Sequence, residues 1–314
     1  MNDQPVVLVL RALGLGDLLT GLPALSVLRE ALPEHRIVLA VPDGLAPLAM
    51  LAGTVDETVH GHELEPLVDP PRRPELAVDL HGNGPLSRAL LLDTRPGRLV
   101  AFGNGGPRWR ANEHEAARWC RLIIEGLPAP GIPVPMVAGA LPVPPDMLVP
   151  VGATLVHCGA KATARRWPAE RLAAVAILLS AAGHDVLITG GPGEQALAES
   201  IAAASGTRSA GVLDLPHLMA LVARARLVVS GDTGVAHVAT NYGTPSVVLF
   251  GPVSPAGWGP PADPRHQVLW HGDGTGDPHG HHPDPALLRI TVAEVMAACA
   301  RAVTHADEGL AHGA

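Results

Sequence analysis

Three short segments of this 314-residue sequence set charged or hydroxyl side chains among glycines, a combination that chemistry can use. The first is Gly14-Leu15-Gly16-Asp17, which follows an apolar run over 5–13 and precedes leucines at 18, 22, 25 and 28. That order reads as strand, tight turn and helix, with the Asp17 carboxylate at a helix N-terminus beside the carboxyl end of a strand. Three readings are open there. The carboxylate serves the helix dipole, a matter of about 0.3 to 1 kcal/mol. Alternatively it is a general base for an incoming hydroxyl. Or the segment is a dinucleotide-binding turn, with Asp43 after the second strand as its ribose acid. Leu19 stands where the third glycine of that fingerprint belongs, which disfavours the last reading.

The second segment, Ser230-Gly231-Asp232-Thr233-Gly234-Val235-Ala236-His237, runs from a strand end into a helix. Glycines, a hydroxyl and unpaired backbone N–H groups at a helix N-terminus make an anion site, so the cluster reads as a diphosphate cradle with His237 on the first turn. The plainer reading is a helix start capped by Asp232 or Thr233. The third segment leads from His157-Cys158-Gly159-Ala160-Lys161 to Arg165-Arg166-Trp167-Pro168. Singly its cations are a solvated loop. Beside a cradle they suit a departing phosphate, whose oxygens arginine matches in pairs. Glu194, closing Gly190-Gly191-Pro192-Gly193-Glu194, is placed to accept hydrogen bonds from a ribose. His271, His279, His281 and His282, in the Gly, Asp and His-rich stretch 271–285, have no standard metal spacing, and no Asp-x-Asp pair occurs in the chain. We read them as loop histidines and expect no metal.

The elements that must position these residues are short buried strands alternating with helices, hence parallel sheets covered on both faces. Runs at 5–13, 37–41, 76–80 and 98–102 are the first set. Prolines at 128, 130, 133, 135, 142, 144, 145 and 150 exclude helix or central strand across 127–150, where we place the linker. Strands at 153–157, 185–189, 226–230 and 246–250 then alternate with helices at 168–182, 194–204, 215–225 and 234–241, and a last helix covers 291–303. The expected fold is α/β, with two parallel-sheet domains, 1–150 and 151–314, facing each other across a cleft. Length agrees, since one core stops growing near this size.

Composition removes other classes. A net charge of −8 and 3% aromatic residues argue against a nucleic-acid partner. The longest apolar stretch, 172–183, falls short of the roughly 20 residues of a membrane span. Asp3, Arg11 and Asp17 break up the apolar N-terminus that a signal peptide requires, so a cytoplasmic protein is expected. Cys120, Cys158 and Cys299 are three, far apart and without paired spacing, and read as core thiols.

Taken in order, Arg11 to Asp17, His157 to Arg165-Arg166-Trp167-Pro168-Ala169-Glu170-Arg171, Gly231-Asp232-Thr233-Gly234 with His237, Gly243-Thr244-Pro245, Phe250-Gly251-Pro252 and Trp258-Gly259-Pro260 resemble glycosyltransferase family nine, the ADP-heptose:lipopolysaccharide heptosyltransferases and their relatives. The resemblance runs nearly the whole length and implies the GT-B fold, two Rossmann-like domains with 1–150 on the acceptor side and 151–314 on the nucleotide-sugar side, and an inverting, metal-independent and cofactor-free transfer from ADP-heptose. It makes Asp17 the catalytic base, in the loop of Gly14 and Gly16, and sets Arg165 on the donor diphosphate where the family has lysine. Thr233, Gly234 and His237 would hold the diphosphate, Asp232 the sugar hydroxyls and Glu194 the ribose. Gly159 and Ala160 replace two threonines found in some heptosyltransferases. The acceptor would be a hydroxyl of a glycolipid, glycan or small molecule, a glycolipid bringing peripheral membrane contact. Another nucleotide sugar, a non-catalytic nucleotide-sugar-binding protein and a nicotinamide oxidoreductase are the alternatives.

Overall fold

Val6–Leu10 is an unbroken apolar run, and from Val7 onward every side chain in it is buried, as a central strand covered by helices on both faces requires. The computed structural model describes residues 4–103, 105–127, 133–137, 141–145 and 147–312. The chain divides into two units, Met1–Pro142 and Val143–Ala314. The division falls before position 150, the border read from the sequence, because the second unit already binds the preceding stretch: Arg224 Nη1 donates to the Met147 carbonyl at 2.8 Å. Parts of the proline-crowded linker, 128–132, 138–140 and 146, lie outside the described residues.

In the first unit, β1 (Val6–Leu10), α1 (Leu15–Ala31), β2 (Arg36–Val41), α2 (Ala46–Leu51), β3 (Glu57–His60) and β4 (Leu76–Asp79) are followed by α3 (Pro85–Leu92), β5 (Arg98–Val100) and α4 (Glu115–Gly126). The sheet runs β3-β2-β1-β4-β5 with every pairing parallel; Val9 sits opposite Leu39 on one side and Val78 on the other. Leu8, Leu10, Val38, Ala40 and Ala77 fill one core cluster.

The second unit begins with β6 (Thr154–His157), α5 (Ala169–Ala181), β7 (Val186–Thr189), α6 (Gln195–Ser205), β8 (Arg208–Ser209) and α7 (Leu215–Ala223). It continues through β9 (Leu227–Gly231), α8 (Gly234–Tyr242), β10 (Ser246–Phe250), α9 (Pro255–Trp258), β11 (His266–Trp270), α10 (Pro285–Arg289) and α11 (Val292–His312). Its parallel sheet runs β11-β10-β9-β6-β7-β8.

Each sheet reverses its strand order once, between β1 and β4 in the first unit and between β6 and β9 in the second. At such a switch point the loops leave two neighbouring strands in opposite directions, and a crevice opens beyond their carboxyl ends. Strands β3, β8 and β11, absent from the sequence reading, all lie at sheet edges, where one flank needs no apolar cover and the period blurs. Helix α11 runs past 303, where the sequence reading ended it because Thr304, His305, Asp307 and Glu308 carry no apolar signal. Among the described residues no helix is long and apolar enough to cross a membrane.

Candidate active site

In the second unit, the crevice beyond β6 and β9 gathers Arg165 and Asp232. Asp232 follows β9 directly; its N–H donates to the Leu249 carbonyl at 3.2 Å, which draws its side chain in to 5% exposure. Arg165 closes the short turn Thr163–Arg165 after β6, and its Nη1 lies 3.4 Å from Asp232 Oδ2. Burial pushes the Asp232 carboxyl above the usual carboxylate range, and the Arg165 charge draws it part of the way back. The turn reaches β9 only because residue 231 is glycine, since a Cβ there would stand 2.9 Å from the Arg165 carbonyl oxygen.

Arg165 Nε is buried and has no hydrogen-bond partner among the described residues. A buried guanidinium N–H left unmade is costly, and here it stands beside a helix N-terminus. Thr233 caps α8, its Oγ1 accepting from Val235 N at 3.3 Å, so the plainer reading of that residue holds as geometry. Gly234 is the first residue of the helix. His237, 9% exposed, sits in the first turn with its ring edge-on to Trp258 at 6.1 Å. An oxyanion in front of this turn would meet the N-terminal N–H groups of α8 and a guanidinium with donors to spare.

The consecutive arginines reach opposite neighbours of β6. Arg165 goes to the β9 side, and Arg166 to the β7 side, where its Nη2 lies 3.2 Å from Glu194 Oε1. The Glu194 carboxylate also accepts from Ala160 N at 3.0 Å and Gly191 N at 2.7 Å. A Cβ at Gly159 would stand 1.6 Å from Glu194 Oε2, so glycine there is the space the carboxylate occupies. Glu194 therefore ties the β6 and β7 loops together, and three of its acceptor positions are taken by protein donors. We expect Glu194→Ala to lower stability by about 2 to 3 kcal/mol as those donors lose their acceptor, read as a fall in the urea midpoint. A midpoint that does not move would show that the carboxylate is held in reserve for a ligand.

His157 adds no charge to the basic loop: burial pushes its pKa down to about 4, and Nδ1 lies 3.1 Å from Thr189 Oγ1. The positive charge comes from Lys161, Arg165 and Arg166.

Asp17 lies in the first unit, apart in the chain from all the others. It sits in the first turn of α1, its side chain about a third exposed, with Oδ2 accepting from Gly14 N at 3.3 Å. The tight turn read from the flanking glycines forms without left-handed backbone: Gly14 is extended (φ −75°, ψ 178°), and Gly16 is not among the residues of positive φ. Behind Asp17, Arg11 is 1% exposed. Its guanidinium donates to the Asp17 carbonyl (2.8 Å), the Leu80 carbonyl (2.5 Å) and Thr20 Oγ1 (3.2 Å), and lies 3.4 Å from Glu115 Oε1 and 3.7 Å from Asp17 Oδ1. The sequence reading placed this residue in the family motif and gave it no role; a lone arginine at the end of an apolar strand was the available signal. Asp43, the ribose acid of a dinucleotide site, is paired with His60 Nδ1 at 2.9 Å.

Loop 271–285 packs under the basic turn, with Ala164 N donating to the Gly280 carbonyl and Asp284 N to the Ala164 carbonyl. His271 pairs with Glu294 at 2.7 Å. Among the described residues no group of three or more His, Cys, Asp or Glu side chains could hold a metal ion. The loop's visible role is to hold the turn that carries Arg165.

Residues 150–282 match the profile of Glycosyltransferase family 9 (heptosyltransferase). Lipopolysaccharide heptosyltransferase 3 of Escherichia coli is 32% identical over 141 residues, 42% of this chain and 41% of that one. The matched part thus spans about two fifths of the length of such relatives. Two solved structures share the fold over nearly the whole length. The E. coli ADP-heptose lps heptosyltransferase II has a TM-score of 0.74 at 21% identity, over 96% of this chain and 99% of that one. A glycosyl transferase family 9 protein from Veillonella parvula has 0.76 at 19%, over 97% and 98%. The fold is GT-B.

Proposed function

We propose, from the premise that residues 150–282 belong to glycosyltransferase family 9, that the protein moves a sugar from a nucleoside-diphosphate donor to an acceptor hydroxyl, with inversion and without a metal ion. Asp17 takes the hydroxyl proton as the oxygen attacks the anomeric carbon from the face opposite the leaving group. The bond to the diphosphate breaks with its electron pair, and Asp17 ends as a neutral acid. Arg165, His237 and the start of α8 at Thr233 and Gly234 receive the charge developing on the diphosphate, the place a divalent cation has in Asp-x-Asp enzymes. The donor in this reading is ADP-heptose, the sugar nucleotide named with the E. coli neighbour. The acceptor is a hydroxyl of a glycolipid, glycan or small molecule, and in this reading the reaction takes place in the cytoplasm. The observation that carries the proposal is the Arg165–Asp232 pair at the sheet's switch point, with Arg165 Nε buried and unpartnered among the described residues.

Asp232 selects the sugar and Arg165 the phosphates, a division that calorimetry can separate. Asp232→Ala is expected to weaken ADP-heptose by about 1 to 3 kcal/mol, through hydroxyls left without an acceptor, and bare ADP by much less. Equal losses for both ligands would show that Asp232 only orients Arg165.

A further inference from the structure

The first unit has its own switch-point crevice, beyond β1 and β4, and Asp17 occupies only the β1 side of it. The β4 side carries His81. Asp79, at the end of β4, is fully buried; Oδ2 accepts from Ser87 Oγ at 2.7 Å and Oδ1 from His81 N at 3.0 Å, so one carboxylate fixes the turn into α3 and the backbone that bears the imidazole. Arg11 fixes that turn relative to Asp17, because its guanidinium holds the Asp17 carbonyl and the Leu80 carbonyl together, and Leu80 N donates to the Leu10 carbonyl. Nδ1 of His81 is buried and has no hydrogen-bond partner among the described residues, while the ring as a whole is half-buried. A half-buried imidazole held this firmly and left unsatisfied is a ligand contact in waiting.

Its surroundings favour a neutral ring. Burial first, then the Arg11 charge, push the pKa down to about 4, against the opposing pull of Asp17 and Glu63. Glu63, which adopts a left-handed backbone (φ 48°), is tied in by its N–H to the Ala12 carbonyl at 2.7 Å. A neutral imidazole both donates and accepts, as a sugar hydroxyl does, whereas the Asp17 carboxylate only accepts.

We propose that His81 binds the acceptor beside Asp17, taking a second hydroxyl of a polyol whose first hydroxyl Asp17 deprotonates. The inference rests on Asp17 being the base, and it makes the acceptor a sugar gripped at two oxygens, where an isolated alcohol would be gripped at one. An acceptor lacking the second hydroxyl leaves the ring unpaired and is rejected.

The test uses the full chain labelled with 15N-histidine, the His81 ring signals being those lost in His81→Gln. Deacylated lipooligosaccharide core, the polyol probe, is expected to shift those signals. In transfer from ADP-heptose, His81→Ala raises the acceptor KM by about 10-fold or more while ADP affinity holds, and His81→Gln, which keeps a donor and an acceptor, recovers most of the loss. Ring signals unmoved by the probe overturn the proposal, as does an unchanged acceptor KM or a parallel loss of ADP affinity. A shifted His81 with no ADP released from ADP-heptose would sink the transferase reading alone; transfer with His81 silent would sink this inference alone.

Discussion

Asp17→Asn is expected to lower the transfer rate by about 10²-fold or more while ADP affinity and the melting temperature stay near those of the parent. The amide has the same size and keeps an oxygen for the Gly14 N–H, so the start of α1 remains in place. It cannot take a proton. Arg11 loses a charge at 3.7 Å and keeps Glu115, the Asp17 and Leu80 carbonyls and Thr20, so the buried guanidinium is still satisfied. The sizes decide between the readings of Asp17. A residue that served only the helix dipole would cost about 0.3 to 1 kcal/mol of stability and leave the rate within a few-fold. Steady-state kinetics beside a thermal melt separates the two, and a rate within a few-fold of the parent removes Asp17 as the base.

Arg165→Ala is the second large effect, expected to lower kcat/KM by about 10²- to 10³-fold, the range for losing one donor that meets charge developing in a transition state. The loss has two parts. The diphosphate loses a guanidinium whose Nε has no protein partner among the described residues, and Asp232 becomes a buried carboxylate without its cation. Arg165→Lys is expected to recover only part of the rate, because the charge returns without the planar fork that matches two phosphate oxygens. If Arg165→Ala left both ADP affinity and kcat/KM intact, Arg165 would be a structural partner of Asp232 and nothing more.

The central strands were legible because a strand buried on both faces is built mainly from apolar residues: Val6–Leu10 is apolar throughout, and Leu227–Gly231 and Ser246–Phe250 each carry an unbroken apolar run. Edge strand Glu57–His60 carries glutamate, threonine and histidine among its four residues, and no periodicity distinguishes it from a loop. At the site, the glycines around Asp232 and the arginines after β6 could be found because phosphate chemistry demands those types at strand ends. What the sequence could not show was which of their bonds the protein spends on itself. Glu194 reads as a free acid after a glycine loop, yet three protein donors converge on it, from Ala160, Gly191 and Arg166. The reverse holds for His81, in Leu80-His81-Gly82-Asn83, which the sequence reading passed over. Only the sheet order, by making β1 and β4 neighbours, brings it to the crevice of Asp17. Long-range pairing of this kind leaves no local trace.

The account stands most directly on the fate of ADP-heptose incubated with the protein in excess EDTA, with deacylated lipooligosaccharide core as acceptor and phosphorus and proton NMR as the readout. The expected result is ADP appearing together with a glycoside of anomeric configuration opposite to the donor's. A product of retained configuration, a donor that stays intact, or release that resumes only when a divalent ion is restored would contradict it.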